Sequence, residues 1–148
     1  MTDRERNGYR LSSDPQRVDV DAVHRWLSEQ AYWALGRPRE VVLATITNSR
    51  VWSVFAPSGE QVAFARAVTD DLTFGWLCDV FVDPAHRGRG LATWVSAQAV
   101  DDLRAGGVDR LVLATSTAHD VYRRVGFTVP REGRYMEIDL RPGTAGVA

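Results

Sequence analysis

A basic, glycine-containing turn separates an apolar segment from an amphipathic one, and its residue types suit anion binding. It runs from Arg87 to Ala92 and reads Arg-Gly-Arg-Gly-Leu-Ala. The preceding residues, Trp76 to Val82, are mostly apolar and predict a strand, whereas the following residues have helical spacing. A helix start carries unpaired N–H groups and a partial positive charge, and glycines let the backbone approach a ligand closely. The turn therefore predicts a phosphate or pyrophosphate site; the alternative is a solvated surface loop with two exposed arginines.

The turn matches neither of the common nucleotide loops. It lacks the Gly-x-x-x-x-Gly-Lys-Ser/Thr pattern of a P-loop and the Gly-x-Gly-x-x-Gly pattern of a dinucleotide site. The pattern present is Arg-x-x-Gly-x-Ala, from Arg87 to Ala92. A second informative segment, Leu111 to Phe127, reads as an apolar strand, a short helix carrying Tyr122, and then Gly-Phe. The apolar run 111–114 predicts a strand buried on both faces, and Thr117 predicts a capping box at the helix start. If Gly126 ends the helix in the left-handed conformation, Phe127 should fold back towards Tyr122.

Both segments resemble motifs of the GCN5-related N-acetyltransferases (GNAT), the first being similar to that family's pyrophosphate-binding signature. The resemblance extends from Tyr9 to Leu140. It implies acetyl-CoA as cosubstrate, no metal, and direct transfer of the acetyl group to a primary amine of an unidentified acceptor, which we expect to be a small molecule. The amine would attack the thioester to give a tetrahedral intermediate, and a thiolate would then leave.

The resemblance also assigns site residues. It implies that backbone N–H groups of the turn hold the pyrophosphate and that a bulge in the strand frees backbone groups for the pantetheine amides. The residues assigned to the cofactor are Val80, Phe81, Val82, Arg87, Gly88, Arg89, Gly90, Leu91, Ala92, Thr115 and Ser116. Tyr122 is the candidate general acid, because a phenol with a pKa near 10 can protonate a departing thiolate; a buried packing role is compatible with this.

Asp79 is a carboxylate in an otherwise apolar strand, and a buried carboxylate needs a partner or a function. We predict that it is the catalytic base or orients the acceptor; a salt bridge to Arg66 is an equally good explanation, and a water chain is another candidate base. Trp33 is predicted to contact the acceptor, together with Tyr32, or else to belong to the core.

Composition limits the other functions. The chain has 148 residues, 45% of them hydrophobic and 25% charged, with a net charge of −1. These values predict one domain and give no electrostatic reason to expect nucleic acid or an anionic membrane as partner. Cys78 is the only cysteine, which fits a reducing cytoplasm, and the three histidines have no metal-ligand spacing. A homodimer is possible, since dimers are common in such folds.

The expected fold class is α/β (mixed α+β): a mixed, mostly antiparallel central sheet with a splayed strand pair and helices on both faces. A disordered tail is predicted over 1–7, one domain over 8–141 and a frayed tail over 142–148. Strands are predicted at 9–13, 51–55, 61–69, 73–82, 111–114 and 134–140, and helices at 19–30, 38–48, 90–105 and 118–125. Two other functions remain open: an acyl-CoA-binding sensor with little catalysis, and a non-catalytic scaffold.

Overall fold

The computed structural model describes residues 1–143 and contains one six-stranded sheet with its strands in chain order. The strands are β1 (Asp3–Arg6), β2 (Tyr9–Ser12), β3 (Arg50–Phe55), β4 (Gln61–Thr69), β5 (Gly75–Val82) and β6 (Leu111–Val112). The α-helices are α1 (Val20–Glu29), α2 (Arg39–Thr47), α3 (Leu91–Gly106) and α4 (His119–Val125). Neighbouring strands are antiparallel except β5 and β6, which are parallel. The predicted mixed, mostly antiparallel sheet is therefore confirmed.

Two apolar clusters, one on each face of the sheet, form the core. On one face, α3 buries a stripe of Leu91, Val95, Ala99 and Leu103. On the other face, α1 and α2 bury a second cluster that includes Phe64 and Phe81. The helical spacing read from the sequence after the turn thus corresponds to the buried side of α3.

The helix ends follow local capping chemistry. Asp19 precedes α1, and its carboxylate accepts a hydrogen bond from the Ala22 N–H at 3.1 Å. Gly126 ends α4 in the left-handed conformation (φ 115°). The Phe127 ring then folds back onto Tyr122, with ring centroids 5.9 Å apart, as predicted.

The expectation of a disordered tail over residues 1–7 was wrong for most of that range. Residues Asp3–Arg6 form β1, which pairs with β2 across a two-residue turn. That turn is Asn7-Gly8, with φ values of 52° and 82°. Two successive positive φ values are what a tight hairpin needs, and Asn-Gly is the preferred sequence for it.

The prediction of a closing strand at 134–140 was also wrong. Residues 131–134 make a turn, with an Arg134 N–H bond to the Arg131 carbonyl, but no ladder forms beside it. Met136, Ile138 and Leu140 remain 99%, 79% and 83% exposed. The period-2 pattern had no partner strand, because β6 pairs over only two residues. The frayed tail predicted over 142–148 lies mostly outside the described residues.

Two smaller expectations at the end of the fold also need correction. The run 111–114 is not a strand buried on both faces, since β6 is short and its residues are only partly buried. The capping box expected at Thr117 does not form. Ala118 is the N-cap of α4, and Thr115 Oγ1 accepts the Ala118 N–H at 3.0 Å.

The Asp19 cap gives a direct test of how α1 is positioned. Asp19→Ala should lower the free energy of unfolding by about 1 kcal/mol, because it removes the acceptor for a helix-start N–H. Asp19→Asn should retain most of the stability, since its amide oxygen can accept the same bond. Urea unfolding measures both, and equal losses in the two variants would contradict the capping role.

Candidate active site

Strand β5 contains a bulge at the position where the sequence placed a candidate catalytic carboxylate. In the β4–β5 ladder Phe64 pairs with Phe81 and Arg66 pairs with Cys78. Only Ala65 therefore stands opposite the two residues 79 and 80. The extra residue leaves backbone groups without a ladder partner.

Asp79 adopts the left-handed conformation at this bulge, with φ 50°. The consequence is a change in which side chains face each side of the sheet. Leu77 packs in the α3 cluster, whereas Phe81, four residues later, packs in the α1/α2 cluster. In a regular strand an even separation would put both side chains on the same face.

The second half of β5 is open along its other edge. Strand β6 pairs with β5 only at Gly75–Leu111 and Trp76–Val112. Within residues 1–143 no strand pairs with Leu77 to Val82 on that side. This is the splayed pair predicted from the resemblance, and it leaves unpaired backbone groups facing the gap.

The open edge leads to the start of α3. Gly88 and Gly90 have positive φ values of 77° and 74°, which non-glycine side chains rarely adopt. No side chain caps the helix, and its first backbone bond runs from the Trp94 N–H to the Gly90 carbonyl. The N–H groups of residues 91–93 therefore remain available to an anion.

The two arginines of the turn have different surroundings. Arg87 donates from Nε to the Val82 carbonyl at 3.0 Å and lies 5.2 Å from the Phe81 ring, so it holds the turn against β5. Arg89 has no hydrogen bond or salt bridge within the described residues. It borders a cavity of about 240 Å³ beside Gly90.

Tyr122 lies on α4 and is partly buried against the α3 cluster. Burial raises the pKa of its phenol to about 12, with smaller contributions from Tyr32 and Cys78. The phenol therefore stays protonated over the whole neutral range. The hydroxyl has no hydrogen-bond partner among the described residues, so its proton is available to a ligand.

Asp79 is at the centre of a buried polar network. Its side chain is 2% exposed. One oxygen accepts a hydrogen bond from Trp33 Nε1 at 2.8 Å, and the other accepts from Arg37 Nη1 at 2.8 Å and Arg66 Nε at 2.9 Å. Desolvation would raise the pKa of Asp79, but the two guanidinium groups and the indole outweigh it and hold the pKa below its ordinary value.

These contacts favour the salt-bridge explanation of Asp79 that the sequence left open. They also tie two segments together, because Trp33 and Arg37 belong to the α1–α2 loop whereas Asp79 and Arg66 belong to the sheet. Arg37 was not identified from the sequence. Its one signal there is a charged side chain after the aromatic loop, and that signal does not reveal the partner on β5.

The α1–α2 loop also reaches the opposite side of the gap. The Tyr32 hydroxyl lies 2.9 Å from Ser116 Oγ, in the connection between β6 and α4. Tyr32 and Trp33 contact each other edge to face, with centroids 5.1 Å apart. Trp33 is 42% exposed and is therefore not a fully buried core residue. Thr115, assigned to the cofactor, accepts a hydrogen bond from the Ala118 N–H just before α4, so its hydroxyl is already engaged.

Two further properties concern the described residues as a whole. No group of three or more His, Cys, Asp or Glu side chains is placed to hold a metal ion within residues 1–143. Over the same range no helix combines the length and apolar character that crossing a membrane requires.

The Asp79 network predicts a large, pH-dependent stability effect. Asp79→Asn should lower the free energy of unfolding at pH 7 by about 3 kcal/mol, because two buried guanidinium groups lose their counter-charge. A lowered folded-state pKa means that the carboxylate stabilises the fold above about pH 4 and loses this effect as the pH falls through the folded pKa. The difference between wild type and variant should therefore shrink in acid.

Asp71→Asn is the matched control. Asp71 also has a positive φ, 63°, and pairs with an arginine, Arg50, but that pair is exposed. Its replacement should change stability by less than about 1 kcal/mol. Urea unfolding of both variants at neutral and acid pH decides the point, and equal losses would refute a special role for the buried carboxylate.

This chain is similar to proteins of known family and known structure. A family model described as the acetyltransferase (GNAT) family matches residues 20–127. A crystal structure of a GNAT-family acetyltransferase from Xanthomonas campestris is 39% identical, with a TM-score of 0.81, and the alignment covers 91% of this chain and 94% of that one.

Two plant proteins are similar in sequence. One is named GCN5-related N-acetyltransferase 1, chloroplastic, from Arabidopsis thaliana; it is 28% identical over 88% of this chain and 67% of its own length. The other is named Serotonin N-acetyltransferase 2, chloroplastic, from Oryza sativa; it is 31% identical over 82% of this chain and 62% of its own length. A Gibberella zeae acetyltransferase is matched over 61% of its length, so the chain spans about three fifths to two thirds of these relatives. The family model and the bacterial structure cover most of the chain, which therefore belongs to the GNAT acetyltransferase family.

Proposed function

We propose that this chain is an acetyl-CoA-dependent N-acetyltransferase that transfers the acetyl group directly to a primary amine. The observation that carries the proposal is the open edge of β5, from Leu77 to Val82, which is followed along the chain by the uncapped start of α3. Unpaired backbone groups at these two places, along the β5 edge and at the start of α3, are suited to a long ligand with amides at one end and a pyrophosphate at the other.

The backbone supplies most of the cosubstrate site in this proposal. The free edge at Val80, Phe81 and Val82 would bond the pantetheine amides, and an N–H at the bulge would face the thioester oxygen. The N–H groups of residues 88–92 would hold the pyrophosphate. Arg89 would add a positive charge there, whereas Arg87 supports the turn through its bond to the Val82 carbonyl.

Two side chains are assigned roles at the reacting end. Tyr122 would donate its proton to the sulfur as the C–S bond breaks and the new C–N bond forms, since its raised pKa keeps that proton in place. Asp79 would orient the acceptor loop through Trp33 and Arg37. Both carboxylate oxygens of Asp79 already accept hydrogen bonds from protein N–H groups, and the lowered pKa of Asp79 makes it a weak base. Water is therefore the better candidate for accepting the amine proton.

An amine acceptor is supported by the names of the two plant relatives, one of which specifies serotonin. Tyr32 and Trp33 border the gap on the side opposite α3 and are assigned to acceptor binding. Cytoplasmic location and a homodimer stay predictions from the sequence.

A coenzyme A release assay over a panel of amines tests the activity, with a thiol reagent as the readout. Release that depends on both acetyl-CoA and an amine supports the proposal. Tight acetyl-CoA binding without release for any amine would instead support the sensor function.

The pyrophosphate site is tested by Gly90→Ala. Alanine at φ 74° strains the backbone by about 1 kcal/mol and disturbs the helix-start N–H groups, so acetyl-CoA affinity should fall by about tenfold. Gly59→Ala is the matched control, because Gly59 has φ 96° in a remote hairpin and neither added Cβ meets an atom within 4 Å. Both variants should lose similar stability. Unchanged affinity of Gly90→Ala by calorimetry would reject the site.

Tyr122→Phe should lower turnover by about a hundredfold, because it removes a positioned acid, while acetyl-CoA affinity stays within about twofold. Tyr135→Phe removes a phenol that is 46% exposed and should have no effect. Because the Tyr122 pKa is raised, wild-type kcat should show no loss from phenol ionisation up to about pH 10. Full turnover in Tyr122→Phe would remove the catalytic role.

A further inference from the structure

The polar network around Asp79 is not electrically balanced. Arg37 and Arg66 each form a salt bridge to the same carboxylate. Within residues 1–143 neither guanidinium has a second carboxylate partner. Two positive charges and one negative charge leave a net charge of +1 at the bulge. An uncompensated charge in a partly buried site is costly unless a ligand or solvent offsets it.

Arg37 is the guanidinium that can reach a ligand. Its side chain is 22% exposed, compared with 11% for Arg66. Arg37 uses only Nη1 in the network, so its remaining N–H groups have no partner among the described residues. Arg66 donates from Nε to Asp79 and from Nη1 to Ser49 Oγ. The uncommitted donors therefore lie on Arg37.

The excess charge lies beside the candidate reaction centre. Cys78 directly precedes Asp79 at the bulge and pairs with Arg66 in the β4–β5 ladder. The Cys78 thiol contributes to the raised pKa of Tyr122, which lies on the other side of the gap. The α1–α2 loop also spans the gap physically, from the Trp33 bond to Asp79 to the contact between Tyr32 and Ser116.

We propose that the amine acceptor carries a carboxylate that pairs with Arg37, so that its substrate class is amino-acid-like. The inference rests on the proposed acetyltransferase function and specifies its acceptor. A planar guanidinium with free N–H groups is suited to a carboxylate, which it can bind through two parallel hydrogen bonds. The carboxylate neutralises the excess charge.

The same charge disfavours a different class of acceptor. A polyamine would bring further positive charges to a site that already carries one, and like charges in contact are repelled. A simple monoamine would leave the Arg37 charge uncompensated. Trp33 shares the Asp79 carboxylate with Arg37, and Tyr32 packs against Trp33. These aromatic rings suit an acceptor with an apolar body.

Matched pairs of an amino acid and its decarboxylated amine test the inference. Tryptophan with tryptamine, phenylalanine with phenethylamine, and lysine with cadaverine each differ by one carboxylate. At saturating acetyl-CoA, kcat/KM from coenzyme A release should be at least about tenfold higher for the acid-bearing member of the best pair. A best acceptor that lacks an acid group would overturn the inference while leaving the acetyltransferase function intact.

Variants of Arg37 test whether this residue causes the preference for an acceptor with a carboxylate. Arg37→Gln should abolish the preference by lowering kcat/KM for the amino acid much more than for the amine, and Arg37→Lys should restore part of the preference because it keeps the charge. Arg39→Gln is the control: Arg39 lies two residues away and its salt bridge to Asp21 is exposed. A preference that survives Arg37→Gln would overturn the inference.

A binding measurement separates this inference from the proposed function. N-acetyltryptophan should bind the coenzyme A complex of the wild type by calorimetry at least about tenfold more tightly than N-acetyltryptamine, and Arg37→Gln should remove the difference. If no amine releases coenzyme A, the acetyltransferase function fails while this measurement still decides the carboxylate site. Equal or absent binding of the two products would overturn the inference.

Discussion

The buried ion pairs of Asp79 are the constraint on which the site depends. Aspartate is one of the few residues other than glycine that tolerate a left-handed backbone conformation, and here that conformation creates the β5 bulge. The same side chain accepts hydrogen bonds from Trp33, Arg37 and Arg66. A single residue therefore shapes the strand and holds the α1–α2 loop against it. Removing its charge would weaken the contacts that hold the loop.

The bulge also explains how one strand serves two faces of the sheet. Before it, Leu77 packs towards α3; after it, Phe81 stacks on Trp26 of α1, with centroids 5.6 Å apart. Strand β6 follows β5 for only two residue pairs and then diverges. The sheet is thus continuous where the core needs it and open where a ligand would bind, because backbone left unpaired inside a core would be costly.

The features that were predictable from the sequence are those encoded locally. The buried stripe of α3, the Asp19 cap and the left-handed Gly126 each depend on residues that are close together in the sequence. Strand β1 had a local signal as well, in Asn7-Gly8, but its charged residues gave no apolar face to recognise. The pattern at 134–140 is the converse case: alternation predicts a strand only when a partner edge exists, and pairing is not a local property.

The same distinction explains why the cosubstrate is easier to infer than the acceptor. The anion site uses backbone N–H groups, so its requirements appear in the sequence as glycines and a helix start within six consecutive positions. The acceptor side uses side chains, and Trp33, Arg37, Arg66 and Asp79 come from three separate segments. None of these residue types is unusual alone. Their role follows from the number of charges that surround one buried carboxylate, and that number is known only from the folded structure.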